Sequence, residues 1–294
     1  ESRNYNWRFG SATRRKKLRA LLIDKNPVYW LLARQRWHGL ILRGILVILL
    51  AVMVYWYLRD YADGKRMGFS QGFASFTSIA FQIWMASQAS RFFSEGMRTG
   101  SLELLLSTPL IVPQIIHGQW LALRRLFFVP TVLALMVQLF SNLIQIRFML
   151  SVNNGPNQEW ITYHVINLIF GMVGFITPLV ALAWVGMWMG LTTAKPNIAV
   201  VKTFLFVQVI PWFGVIICQL LFFKFFAPSS MYGFSIFNGV LVIAKDVAFI
   251  LWARRKLHEQ LRDVASLGEH GLKFRAERNP ATRLLRSLSG RLFS

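Results

Sequence analysis

Apolar residues fill this chain in runs too long and too uniform to be one face of soluble helices. Six such runs, at about 40–58, 69–93, 120–144, 161–191, 198–226 and 231–252, are separated by short polar segments. About 20 consecutive apolar residues cross the hydrocarbon core of a bilayer. The pattern therefore predicts an all-α membrane protein with six transmembrane helices spread over residues 38–252. The runs differ in character. The second is rich in Ser, Ala and Gln, which suits a helix facing other helices more than lipid. The third contains Pro130, where a kink is expected. The fourth carries Gly171, Gly174 and Pro178 ahead of Gly186-x-x-x-Gly190, a spacing that permits close helix approach. The fifth is Phe-rich and interrupted by Pro211, so it is either one span or a span followed by a re-entrant piece.

The linking segments read as turns. Arg147–Trp160 holds Asn153-Asn154-Gly155-Pro156, and Thr192–Asn197 and Ala227–Ser235 are short and polar. Residues 1–37 form a basic segment without the apolar core of a cleavable signal peptide. Within it Leu18, Leu21, Leu22, Val28, Leu31 and Leu32 recur at roughly helical spacing, and Asn26-Pro27 resembles a helix start. This predicts an amphipathic interfacial helix before the first span. Residues 253–294 form a basic tail, helical and of mixed charge at first, then rich in Arg, Ser and Gly.

One polar interruption has internal order. Glu95–Gly118 reads EGMRTGSLELLLSTPLIVPQIIHG, with charge at one end, a Leu cluster in the middle, and Pro109 and Pro113 beyond it. A short helix is expected from Ser101, with Ser101 as N-cap and Glu103 near the positive end of the helix dipole. Leu102, Leu105 and Leu106 then share a face at i, i+3 and i+4, and Pro109 ends the helix.

Composition agrees with a membrane protein and adds orientation. The chain of 294 residues is 55% hydrophobic, with mean hydropathy +0.45, 25 Phe and 11 Trp. Its net charge of +21 is distributed unevenly. Six spans place both termini on one side, and 27 of the 33 Lys and Arg fall on the face holding the termini, Glu95–Gly118 and the 192–197 turn. The positive-inside rule makes that face cytoplasmic. The charge then reads as orientation and contact with anionic membrane lipids, and no nucleic-acid partner is expected.

Candidate chemistry is sparse. No phosphate-binding glycine loop or dinucleotide fingerprint is present, and His38, His117, His164, His258 and His270 lack metal-ligand spacing. No enzyme, cofactor or metal site is expected in this chain. Lys245 and Asp246 are the one charged pair inside a predicted span. Such groups are functional candidates because an unpaired charge in hydrocarbon is costly. Adjacent helical residues point about 100° apart, so a simple mutual pair is not expected. Either Lys245 snorkels while Asp246 bonds a neighbouring helix, or the two serve a substrate or proton relay. Gln82, Gln88, Gln138, Asn142, Asn167, Gln208 and Gln219 either bond between helices or line a polar path.

The residues Glu95, Gly100-Ser101-Leu102-Glu103, Leu104-Leu105-Leu106, Ser107-Thr108-Pro109-Leu110 and Ile115-Ile116-His117-Gly118 together resemble the loop between the second and third spans of type-2 ATP-binding-cassette (ABC) exporter permeases. Gln119 departs from that pattern, where Lys is frequent. The resemblance implies a transmembrane permease subunit in the bacterial inner membrane. It implies that Glu95, Gly100, Ser101, Leu102, Glu103, Leu105, Leu106, Pro109 and Gly118 belong to a coupling helix seated in a separate ABC ATPase subunit. It further implies a second permease copy or homologous six-span half, with ATP and Mg bound by the ATPase partner. The alternative is a non-transporting structural or accessory subunit that retains the permease fold, or one half of a longer fused permease.

Overall fold

The computed structural model describes residues 68–152, 158–193, 195–226 and 231–266, with isolated positions before them at 13, 16, 27–29, 44, 47–48, 51–52, 54–55 and 58–59. In chain order these form α1 (Gly68–Thr99), α2 (Ser101–Leu106), α3 (Val112–Val152), α4 (Gln158–Thr192), α5 (Pro196–Phe204), a π-helical turn (Leu205–Val209), α6 (Ile210–Phe226) and α7 (Met231–Ser266). Among the described residues there is no strand. Among the described residues four stretches are long and apolar enough to cross a membrane: Val112–Met136, Ile161–Thr192, Pro196–Lys224 and Gly233–Ser266. The chain has the build of an all-α integral membrane protein.

The predicted first span lies outside the described residues, apart from isolated helical positions such as Val47, Ile48, Tyr55 and Leu58. The predicted second span falls within α1, whose 32 residues reach about 48 Å. It is not among the four apolar stretches, since Ser and Gln dilute its hydropathy, and it packs along α4 instead.

Side-chain pairs fix the direction of each helix. Phe81 stacks on Phe175 at one level, while Ala89 and Ser90 meet Gly186 and Gly190 further along, so α1 and α4 run parallel. Ser235 bonds Asn167, Thr177 bonds Asp246, and Arg254 lies over Trp184, so α7 also runs parallel to α4. Trp120 against Trp184 and Gln138 against Gly171 make α3 antiparallel to α4. Phe206 against Phe249 and Gln219 against Asn238 make the Pro196–Phe226 helix antiparallel to α7. Successive long helices thus alternate in direction, as runs crossing one slab must. Helix α4 is the central stave, most extensively packed against α7 and α1.

Small residues set the closest approach. A Cβ on Gly190 would collide with the Ser90 carbonyl, and one on Gly186 would lie 2.9 Å from the Ala89 Cβ. The Gly-x-x-x-Gly pair is therefore a contact surface, met by a matching Ala86-Ala89-Ser90 stripe that is fully buried. On α7, Gly239 plays the same part toward the Phe170 ring of α4.

Several boundaries differ from the sequence expectations. Helix α3 begins at Val112 and reaches Val152, taking in the end of the predicted coupling loop and the start of the predicted 147–160 loop. It runs unbroken through Pro130, and α4 runs unbroken through Pro178. The Phe-rich fifth run does not break after Pro211; it stays helical to Phe226. Helix α7 begins at Met231, inside the predicted 227–235 loop, and continues past Trp252 to Ser266, so the first part of the expected tail is one piece with the last span. Ala253, Leu257, Leu261, Val264 and Ala265 are buried along this extension at helical spacing. The predicted interfacial helix lies largely outside the described residues, but Val28 is buried in the common core cluster. Residues 267–294 lie outside the described residues.

Candidate functional site

The parallel course of α1, α4 and α7 gathers their C-terminal ends at one end of the bundle, where α2 also sits. Exposed cations collect there: Arg91, Arg98, Arg124, Arg125, Lys195, Lys202, Arg254 and Arg255. Cations suit helix C-termini, and Arg98 occupies the last turn of α1. Among them Arg91 pairs with Glu95, and Arg255 with Glu259 at 2.7 Å, both one turn apart on exposed surface. Such pairs contribute little stability.

Helix α2 begins differently from the expectation. The N-cap is Gly100, at φ 70°, a left-handed conformation that favours glycine. Ser101 is the first helical residue, and its hydroxyl accepts from Thr99 Oγ1 at 2.9 Å. The turn at Gly100 folds α2 back on α1, where a Cβ on Gly96 would lie 3.3 Å from the Leu102 Cβ. Glu103 falls in the first turn, as expected. At the other end Ser107 Oγ donates to the Leu104 carbonyl, and the Ile111 N–H donates to Gln114 Oε1 at 3.3 Å, closing a five-residue link to α3. Pro113 takes the second position of α3, where a missing N–H is tolerated.

The predicted leucine face exists, but it points inward. Leu102 is 2% exposed, and Leu105, Leu106 and Leu110 pack against the same core cluster. The outward face is Glu103, Leu104, Ser107, Thr108, Pro109 and Ile111, with Leu104 71% exposed. Gly118 is buried at the start of α3, and Glu95 is exposed on α1. The nine residues picked out in the sequence thus form one local unit, in which some build the seat and others the surface. Leu104 and Ile111, the most exposed apolar residues there, fall outside the predicted set.

A second constellation lies within the bundle. Asp246 is fully buried; its Oδ2 accepts from Thr177 Oγ1 at 3.0 Å, and its Oδ1 meets Lys245 Nζ at 2.7 Å. The adjacent residues therefore do pair, contrary to the expectation from their 100° separation, because the long Lys stem bends back to its neighbour. Lys245 Nζ also donates to the Val207 carbonyl at 3.2 Å. That carbonyl belongs to the π-helical turn, and the residue four positions on is Pro211, which has no N–H to donate. One residue along, Gln208 donates to Gln82 Oε1 on α1 at 2.9 Å. Four segments of the bundle meet through this network.

The other polar residues inside the runs mostly bond between or along helices. Gln219 donates to Asn238 at 2.8 Å, Ser235 to Asn167 at 2.8 Å, and Asn142 to the Gln138 carbonyl at 2.7 Å. Interhelical bonding of this kind accounts for their presence in apolar runs.

No protein-family model, no curated protein and no solved structure matches this chain.

Proposed function

We propose that this protein is the transmembrane permease subunit of an ATP-driven exporter of the ABC type, with ATP hydrolysed by a separate subunit docked at the basic end. The observation that carries this reading is α2. A helix of six residues gains little from its own backbone, yet this one is seated by Leu102 against the core and presents Glu103, Leu104 and Pro109 outward. A rigid projection seated on two long helices suits the transmission of force. The sequence resemblance of Glu95–Gly118 to exporter coupling helices supports the same reading.

The basic end then faces the cytoplasm of a bacterial inner membrane. ATP with Mg binds the partner, whose closure presses on the outward face of α2. Leu102 and its neighbours carry the displacement into α1 and into the α7 extension, and α7 carries it onward through Asp246 and Thr177 to α4. A second permease copy completes the translocation path.

A photo-cross-linking amino acid at Leu104, exposed and outside the core, tests the reading in native membranes. The expected product is an adduct with a chain that binds ATP. Cross-linking to lipid alone would count against it.

A further inference from the structure

The helix from Pro196 to Phe226 is two mechanical parts joined at the π-helical turn. Before the turn, α5 is anchored: Ala199 and Thr203 are fully buried, and α5 packs against both α1 and α4. After the turn, α6 contains no buried residue among its described side chains. A Cβ at Gly214 would meet nothing within 4 Å. Helix α6 touches α7 through Gln219–Asn238 and through Phe222 and Phe223 against Phe234 and Phe237. Four outward-facing residues, Trp212, Phe213, Ile217 and Leu220, are each more than half exposed.

The joint itself is secured. Pro211 has no N–H to offer the Val207 carbonyl four residues back, the π register locally widens the helix, and both are features where helices bend. Lys245 donates to that carbonyl, and Gln208 ties the neighbouring position to α1. Lys245 is in turn held by Asp246, which Thr177 fixes to α4. A hinge in hydrocarbon must keep its opened carbonyl satisfied through the motion, and a flexible ammonium stem does this better than a second backbone.

We infer that α6 is a gate that swings about the Leu205–Val209 turn, with Lys245 as its pin, while α5 stays fixed to α1 and α4. The motion belongs to the chain by itself and does not depend on the transport reading. Among the described residues, α6 meets α7 through the Gln219–Asn238 bond and a few ring contacts. Interhelical hydrogen bonds of that kind are individually weak in a membrane.

The test uses the full chain in lipid nanodiscs with Cys218→Ser, carrying spin labels at Val129 and Leu221 (the gate pair) or at Val129 and Val201 (the anchor pair). All three label sites are exposed. In the otherwise unaltered chain the gate pair should give the broader distance distribution. Lys245→Met with Asp246→Asn, which leaves no buried charge behind, should broaden and shift the gate pair by several ångströms and leave the anchor pair unchanged. Pro211→Ala, which restores a backbone N–H beside the π turn, should narrow the gate pair. Equal responses of the two pairs, or an unaltered gate pair in Pro211→Ala, would overturn the inference. The second criterion decides alone if the double variant does not accumulate.

Discussion

Lys245 donates to the carbonyl of Val207, in the π-helical turn four residues before Pro211. A residue in the last span thereby supports the irregular turn of the span before it. The same ammonium lies 2.7 Å from Asp246 Oδ1, so one side chain donates to a backbone carbonyl and neutralises a buried carboxylate together. Removing either partner of a buried pair strands the other, at about 3–5 kcal/mol, whereas removing both is far milder. Lys245→Met should therefore lower the unfolding temperature in detergent markedly, as should Asp246→Asn. The double variant should recover a large part of the loss. Additive losses in the double-mutant cycle would show that the two residues act independently.

The approach of α1 to α4 gives a second prediction. At Gly190 a methyl group would enter the Ser90 backbone, which cannot retreat without moving the helix. Gly190→Ala should destabilise by about 1–3 kcal/mol, the range for overpacking. Gly174, on the same helix, has nothing within 4 Å of a new Cβ, and Gly174→Ala should be neutral or slightly stabilising. Thermal unfolding of the two variants side by side distinguishes a packing surface from a general sensitivity of α4 to substitution.

Opposite faces of α2 should respond differently. Leu102→Ala opens a cavity at a buried site and should lose about 2–5 kcal/mol, while Leu104→Ala, at a 71% exposed position, should leave stability unaltered. The spacing of leucines made Leu102 and Leu105 the obvious contact residues. Leu102 is buried and Leu105 packs partly buried against the core, so loss of function on changing them would report misfolding as readily as lost docking.

The α7 extension should protect α2. Leu257 and Leu261 are fully buried beyond Trp252, and the extension packs against α2. Leu257→Ala should raise hydrogen exchange in Ser101–Leu106 along with that of residues 257–266, leaving α4 protected. Unaltered exchange in α2 would mean that α1 alone holds it.

Much of this was legible in the sequence. Long apolar runs identified four of the helices, because length and hydropathy are properties a span cannot hide. Gly186 and Gly190 announced their contact through spacing alone. What the sequence hid were relations between distant segments. The inward turn of Leu102 depends on a left-handed Gly100 and on α7 continuing past Trp252. The placement of the Lys245 ammonium depends on a carbonyl 38 positions away. Helical spacing placed Leu102, Leu105 and Leu106 on one face correctly, but a face has no direction until the rest of the fold is present.

Docking of an ATP-hydrolysing chain on the outward face of α2 is the step on which the proposed function stands or falls. Purification of the full chain from native membranes in mild detergent, followed by photolabelling with an azido-ATP analogue, measures it directly. We expect a labelled partner that co-purifies with the unaltered chain and with a Gly174→Ala control. It should be lost with Leu104→Glu while that variant remains folded and inserted. A labelled partner retained by Leu104→Glu, or no ATP-binding partner at all, would contradict the proposal.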